Sequence, residues 1–274
     1  MKKAKNILIF ILILIIIGLV CYIVFGDNET PNNIIKNKTT KTTAKQEKEE
    51  EKNFVSKIDN SKDYIYDGDY KGDFSKDSYT TESGKTYRSK DLKAPYFNID
   101  SSDANNANKE VNETYLNAVR IFNQGVNDKS TYIKLSYKKY ESDNVISSLF
   151  KYEVGDVGIS NPIYYTYNFD NKTGQLITFK KAIEIAGIKE DEIDKKVKDA
   201  ITKEIKKQKG DSKEAYPEGE TIDTYINRTY YGYEVNKQYD LMKYILDSKN
   251  KLSVVVDMRL PVESEHINEV LEIN

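Results

Sequence analysis

Three short motifs in this 274-residue chain would, in the right setting, build a serine acyl-transfer site. Ser136-Tyr137-Lys138-Lys139 fits S-x-x-K, Ser142-Asp143-Asn144 fits S-D-N, and Lys172-Thr173-Gly174 fits K-T-G, in the order penicillin-binding enzymes use. In those enzymes the serine opens a buried helix, and the boxes come from well-separated parts of a longer chain. Here the first two are neighbours, and Ser136 lies in an alternating, strand-like stretch. Asp67-Gly68-Asp69-Tyr70-Lys71-Gly72 begins like a calcium loop. Lys71, however, stands where an oxygen ligand belongs, and Ser78 replaces the closing glutamate. His266 lies among Glu263, Glu265 and Asn268, with no nucleophile turn elsewhere to serve. These signals predict no catalytic, metal or cofactor residues, and a non-enzymatic protein.

Composition narrows the chemistry further. The chain has one cysteine (Cys21) and one histidine, which excludes a Cys/His zinc site and a two-histidine metal site. Lysine plus arginine number 42 against 44 acids, so no basic excess marks a nucleic-acid footprint. Tyrosine reaches 22 while tryptophan is absent, in part the bias of an AT-rich genome.

The first sixty residues set the placement. Residues 7–25 are uncharged and apolar throughout, long enough to span a bilayer as a helix. Lys2, Lys3 and Lys5 precede them and Asp27 and Glu29 follow, so residues 1–6 are expected in the cytoplasm and the rest outside. Cleavage after Gly26 competes with a retained single-pass anchor, although the apolar run exceeds a normal signal-peptide core. Residues 26–60, rich in Asn, Lys, Thr and Glu, predict a disordered tether.

Residues 61–274 predict one extracytoplasmic α+β domain, an antiparallel sheet with segregated helices, preceded by the transmembrane helix. Ala104, Ala107, Val111, Tyr115, Val119 and Phe122 recur at helical spacing, with Ser101 or Ser102 as N-cap and Gly125 as stop. Alternation predicts strands around Ile133–Tyr137, Ile146–Tyr152 and Ile163–Phe169. Asp170–Gly174 reads as a hairpin turn into Leu176–Phe179. Helices are expected near 190–208 and 221–235. Strands are expected at Met242–Leu246 and Leu252–Met258, with a last one ending at Ile273.

The stretches LKAPYFNIDSSDANNANKEVN, SYKKYESDNVISSLFKY and YYTYNFDNKTGQLITFKKAIEIAGI carry a family resemblance. They are similar to the extracytoplasmic domain of RsiV-type lysozyme-sensing anti-sigma factors, over roughly Asp91 to the C-terminus. Its most specific element is Tyr167-Asn168-Phe169-Asp170-x-x-Thr173-Gly174 followed by a helix. The resemblance implies a non-catalytic domain that binds lysozyme. With six residues before the span, the anti-sigma role itself is not expected. Membrane, lysozyme and peptidoglycan are thus the expected partners, and the cell membrane the expected location. The runner-up is an accessory subunit of an envelope complex acting through its transmembrane helix. Tyrosine anchors many protein interfaces, so Tyr164, Tyr165, Tyr167, Tyr230 and Tyr231 form the expected binding face.

Overall fold

The computed structural model describes residues 55–156, 159–160, 162–209, 216–217, 219–259 and 266–273. The expected span at 7–25 lies outside them, and no described helix is long and apolar enough to cross a membrane. All described residues belong to one compact unit, Glu49–Asn274. Within it the architecture is α+β with antiparallel pairing throughout.

The backbone of the fold is a sheet of β5 (Tyr132–Glu141), β6 (Val145–Asp156) and β8 (Ile163–Asp170), with β6 in the middle. The two-residue β7 (Ile159–Ser160) takes the last part of β6, and β8 takes the rest. Strand side chains alternate between faces, so neighbours on β6 serve different cores. Ile146, Phe150 and Tyr152 enter one apolar cluster, and Val145 enters another.

The first cluster lies under α1 (Ser102–Asp128). Its helical spacing buries Ala104, Val111, Ala118 and Phe122 completely. Ser101 is the N-cap, its hydroxyl accepting from the Ala104 N–H at 3.1 Å. The helix runs past the expected stop at Gly125 and ends where Lys129 adopts φ 56°. Gly125 instead makes room for a neighbouring ring, since a Cβ there would lie 2.5 Å from the Tyr79 hydroxyl oxygen.

Around this core lie two ribbons not anticipated from the pattern. One pairs β1 (Ile65–Asp67) with β4 (Pro95–Phe97), and the other pairs β2 (Ser78–Thr80) with β3 (Thr86–Arg88). Strands of three residues carry too little alternation to register as a period. Side-chain amides fasten the extended segments instead. Asn108 accepts from the Phe97 N–H at 2.8 Å and donates to its carbonyl at 2.9 Å. Asn98 does the same for Asp59, and Asn123 accepts from Ser75 N–H while donating to the Asp73 carbonyl. The ordered fold also starts before the expected boundary at residue 61. Val55 is buried against the first core, and its N–H donates to the Asn171 carbonyl at 3.2 Å.

The second cluster is built by α2 (Phe179–Ile185), α3 (Ile193–Lys209), α4 (Ile222–Gln238) and a second sheet. That sheet orders β11 (His266–Ile273), β10 (Leu252–Arg259) and β9 (Tyr244–Leu246). Ile193, Val197, Ile201 and Ile205 are fully buried on one face of α3. Each such side chain contributes roughly 1.5–3 kcal/mol of burial.

The expected hairpin into Leu176–Phe179 is replaced by a single bridge, Phe169 to Leu176. Leu176 N–H is taken at 2.8 Å by Asp103 of the first turn of α1. Thr178 then caps α2, accepting from the Lys181 N–H at 3.2 Å. The turn itself holds: Asp170 accepts from Lys172 and Thr173 N–H groups, and Gly174 supplies φ +68°.

Candidate functional site

The acyl-transfer motifs fall apart once placed on strands. Ser136 and Lys139 sit three residues apart on β5, so their side chains point to opposite faces. Lys139 Nζ is held by Asp63 at 2.6 Å and by the Ile65 carbonyl. Opposite Ser136 stands Lys151, ion-paired to Glu153 at 2.6 Å. The Ser142-Asp143-Asn144 turn instead meets Asn171, the residue before Lys172, as a corner at one end of the central sheet. Ser142 Oγ donates to Asn250 Oδ1 at 2.7 Å, while Asn171 bridges to the Asn144 and Ser142 carbonyls. The hydroxyl is committed to holding loops together.

The acidic loop is likewise committed. Asp67 is bound by Lys93 at 2.6 Å and by the Tyr137 hydroxyl at 3.0 Å, and Asp69 by Lys71 at 2.6 Å. The Lys93 ammonium and the Tyr137 hydroxyl, working against partial burial, hold the Asp67 carboxyl below its usual range. Among the described residues no group of three or more His, Cys, Asp or Glu is placed to hold a metal ion. His266 begins β11, paired in register with Arg259.

The five tyrosines named from the sequence do not share one face. Tyr167 is 5% exposed and packs in the first core, 4.9 Å from the Phe97 ring, with burial and the Glu110 carboxylate raising its hydroxyl pKa. It has no surface to offer, which corrects its assignment to a binding face. Tyr165 leans on Phe150, with Lys243 Nζ 5.6 Å from its ring. Tyr164, the next residue, necessarily turns to the opposite side of the sheet, toward Lys151 and Glu269. Tyr230 is half-buried beside Tyr233, under Lys198. Tyr231 alone is freely exposed, at 67%.

Tyr231 belongs to a ridge that the sequence pattern missed. Tyr239 is 65% and Leu241 62% exposed, so three of the most exposed large apolar side chains lie within one stretch of α4 and its exit. Tyr231, half-buried Val235 and Tyr239 are spaced by four, a single stripe on the helix surface. Leu241 is folded back onto the same end by a Schellman motif: its N–H donates to the Asn236 carbonyl at 2.8 Å, and Asp240 N–H to the Lys237 carbonyl. Asp240 takes the left-handed position, φ 54°, that glycine usually fills.

The charges beside this ridge are partly paired. Arg228 is paired with Glu220 at 2.9 Å and Lys237 with Asp194 at 2.5 Å. Glu234 and Asp240 form no ion pair among the described residues, and neither does Lys198, whose ammonium lies over the Tyr230 ring. The ridge was legible only with the correct helix end. An expected end at residue 235 leaves Tyr239 in a loop, whereas the helix runs to Gln238 with Tyr239 as its C-cap.

No family model, curated protein or solved structure matches the chain.

Proposed function

We propose that the protein is a membrane-anchored, non-catalytic binding module of the cell envelope, working outside the membrane on lysozyme or on cell-wall material. The observation that carries this reading is the ridge on α4. Exposed tyrosines and leucine gathered at one helix end have the make-up of an interface anchor. The anchor at residues 7–25 and the polar stretch after it would hold this surface off the membrane, where secreted proteins and wall glycan are met.

The test is titration calorimetry of the unit starting at Glu49 against lysozyme and, separately, purified peptidoglycan. Micromolar or tighter binding to either is expected. Replacing both Tyr231 and Tyr239 by alanine should weaken it by about tenfold or more. Binding that survives the double replacement unchanged removes the ridge from the reading. Absence of binding to both ligands removes the reading itself.

A further inference from the structure

Two strand edges beside the first core line one small cavity, and each directs main-chain groups away from its own partner strand. In an antiparallel ladder a residue sends both backbone groups to the same neighbour, and successive residues alternate. On the first edge, the Thr81 N–H donates to the Lys85 carbonyl and the Ser89 N–H to the Asp77 carbonyl. Tyr87, midway between Lys85 and Ser89, therefore faces β2, and Thr86 and Arg88 face away from it. On the second edge, the Ser142 N–H donates to the Val145 carbonyl, so even-numbered residues of β5 face β6 and odd-numbered ones face outward. The Lys93 N–H confirms that parity, reaching the Leu135 carbonyl at 3.3 Å from outside the sheet.

The cavity holds about 230 Å³. Thr86, Tyr87 and Arg88 of β3 line it, as do four consecutive residues of β5 that include Ile133 and Leu135. Both ends are tied. At one, Tyr87 stacks on Tyr132 with ring centres 5.4 Å apart, and the Tyr79 hydroxyl donates to the Thr131 carbonyl at 2.8 Å. At the other stands the bond from Lys93 to Leu135. The stretch between the ties spans about two residues of strand, roughly 7 Å.

Within that stretch the Thr86 N–H and C=O, the Ile133 C=O and the Leu135 N–H meet no partner among the described residues. Ile133 and Leu135 are only 1% and 2% exposed, and buried main-chain groups without a partner are rare. Donors and acceptors on both walls match a ligand that carries both, which an amide does.

The charges of the slot lean positive. Lys85, Arg88 and Lys134 line it against Asp91 and Glu153. Glu153 is already held twice, by Lys134 at 3.0 Å and by Lys151 at 2.6 Å. Asp91 stands 4.0 Å from Arg88, beyond hydrogen-bond reach, and Lys85 forms no ion pair among the described residues. Lys85 and Arg88 thus outnumber the one carboxylate left to them.

We propose that this slot binds the C-terminal end of a peptide, its last amides bonded to the two strand edges and its carboxylate between Lys85 and Arg88. Capture of a terminal carboxylate is a recurrent mode of peptide recognition, and a guanidinium holds a carboxylate through two parallel N–H donors. The slot shares no lining residue with the α4 ridge, so this inference and the ridge stand or fall separately.

The test titrates the full chain in lipid nanodiscs with N-acetyl-alanyl-alanine and, in parallel, with its C-terminal amide. Saturable binding of the free acid is expected, with the amide weaker by about tenfold or more. In the chain carrying isotope-labelled leucine, the Leu135 amide signal should shift as the acid binds. Lys85→Gln with Arg88→Gln should weaken the acid by about tenfold or more and keep the thermal midpoint, because both side chains are exposed. The all-D and all-L forms of the acid separate a wall peptide from a protein terminus as the source, and tight binding of either upholds the slot.

Equal binding of acid and amide overturns the proposal, as does equal binding by the double variant. Acetate that binds as tightly as the peptide reduces the slot to an anion site and overturns it too. So does an unshifted Leu135 amide, or no detectable binding at millimolar peptide.

Discussion

The two edges of the C-terminal sheet solve the same physical problem in opposite ways. Each presents backbone donors and acceptors that β10 cannot satisfy. At β9 the chain spends Thr166 and a buried asparagine, Asn168, which is further held by Ser147 Oγ at 2.9 Å. Buried polar groups left unpaired are costly, and β9 lies in the interior, with Tyr244, Ile245 and Leu246 all buried. At β11, by contrast, Val270 is only half-buried and borders a groove, and no strand beyond β10 pairs there among the described residues. Burial thus dictates which edge must be sealed by side chains of the chain itself.

The contrast is broken most severely by proline inside the ladder. Val255 N–H donates to the Lys243 carbonyl at 2.8 Å, so Val255 faces β9 and Val254 faces β11, where its partner is Leu271. Leu271→Pro removes a bond to β10 and places a ring against a buried register position, so unfolding of the second core is expected, at a cost of about 3 kcal/mol or more. Val270→Pro, one residue earlier, should cost far less. Chemical denaturation of the pair reads the difference directly, and equal losses would refute the assigned parity.

The sealed edge comes next. Asn168→Ala strands the Tyr244 carbonyl, the Leu246 N–H and the Ser147 hydroxyl together. At roughly 1–3 kcal/mol per buried unsatisfied group, partly relieved by relaxation, a loss of about 3–5 kcal/mol is expected. Asn168→Asp should not rescue it, because a carboxylate cannot donate to the Tyr244 carbonyl. Thr166→Val is milder. It removes one acceptor at 3.3 Å while conserving shape, and should cost about 1 kcal/mol in the same denaturation experiment.

How much of this was written in the sequence follows from length scale. The helical period of α3 and the two-residue period of β5, β6 and β8 are local and long, so the elements that build both cores were legible. The three-residue strands β1 to β4 were not, because they are too short to show a period, and the segments around them are fastened by Asn98, Asn108 and Asn123, whose amides reach 11 to 50 residues away in the chain. Asn168 sits in the segment most specific to the family resemblance, yet its partners lie 76 and 78 residues on. Of the expected tyrosine face, Tyr231 alone is freely exposed, since adjacent residues such as Tyr164 and Tyr165 cannot share a side of a strand. The α4 ridge depended on a helix end set by Asp240 in a left-handed conformation, which no preceding glycine announced.

The smallest effect concerns the groove side of the comparison. Glu269 points from β11 toward the interior, where burial and then the neighbouring Glu204 carboxylate raise its pKa, against the opposing pull of Lys207, Gln208 and Lys151. A raised carboxyl pKa means that the folded chain binds the proton more tightly than the unfolded one. Stability from this group is therefore greatest below the ordinary carboxylate range and falls as pH rises through the raised value. Glu269→Gln removes the titration and one of two repelling charges. The variant should be more stable than wild type at neutral pH, and the gap should close on acidification to about pH 4, near the ordinary glutamate pKa. Thermal midpoints of both proteins across that interval check the sign. A gap that widens on acidification would mean that Lys151 and Lys207 outweigh burial and Glu204, so that this wall of the interior is held by attraction.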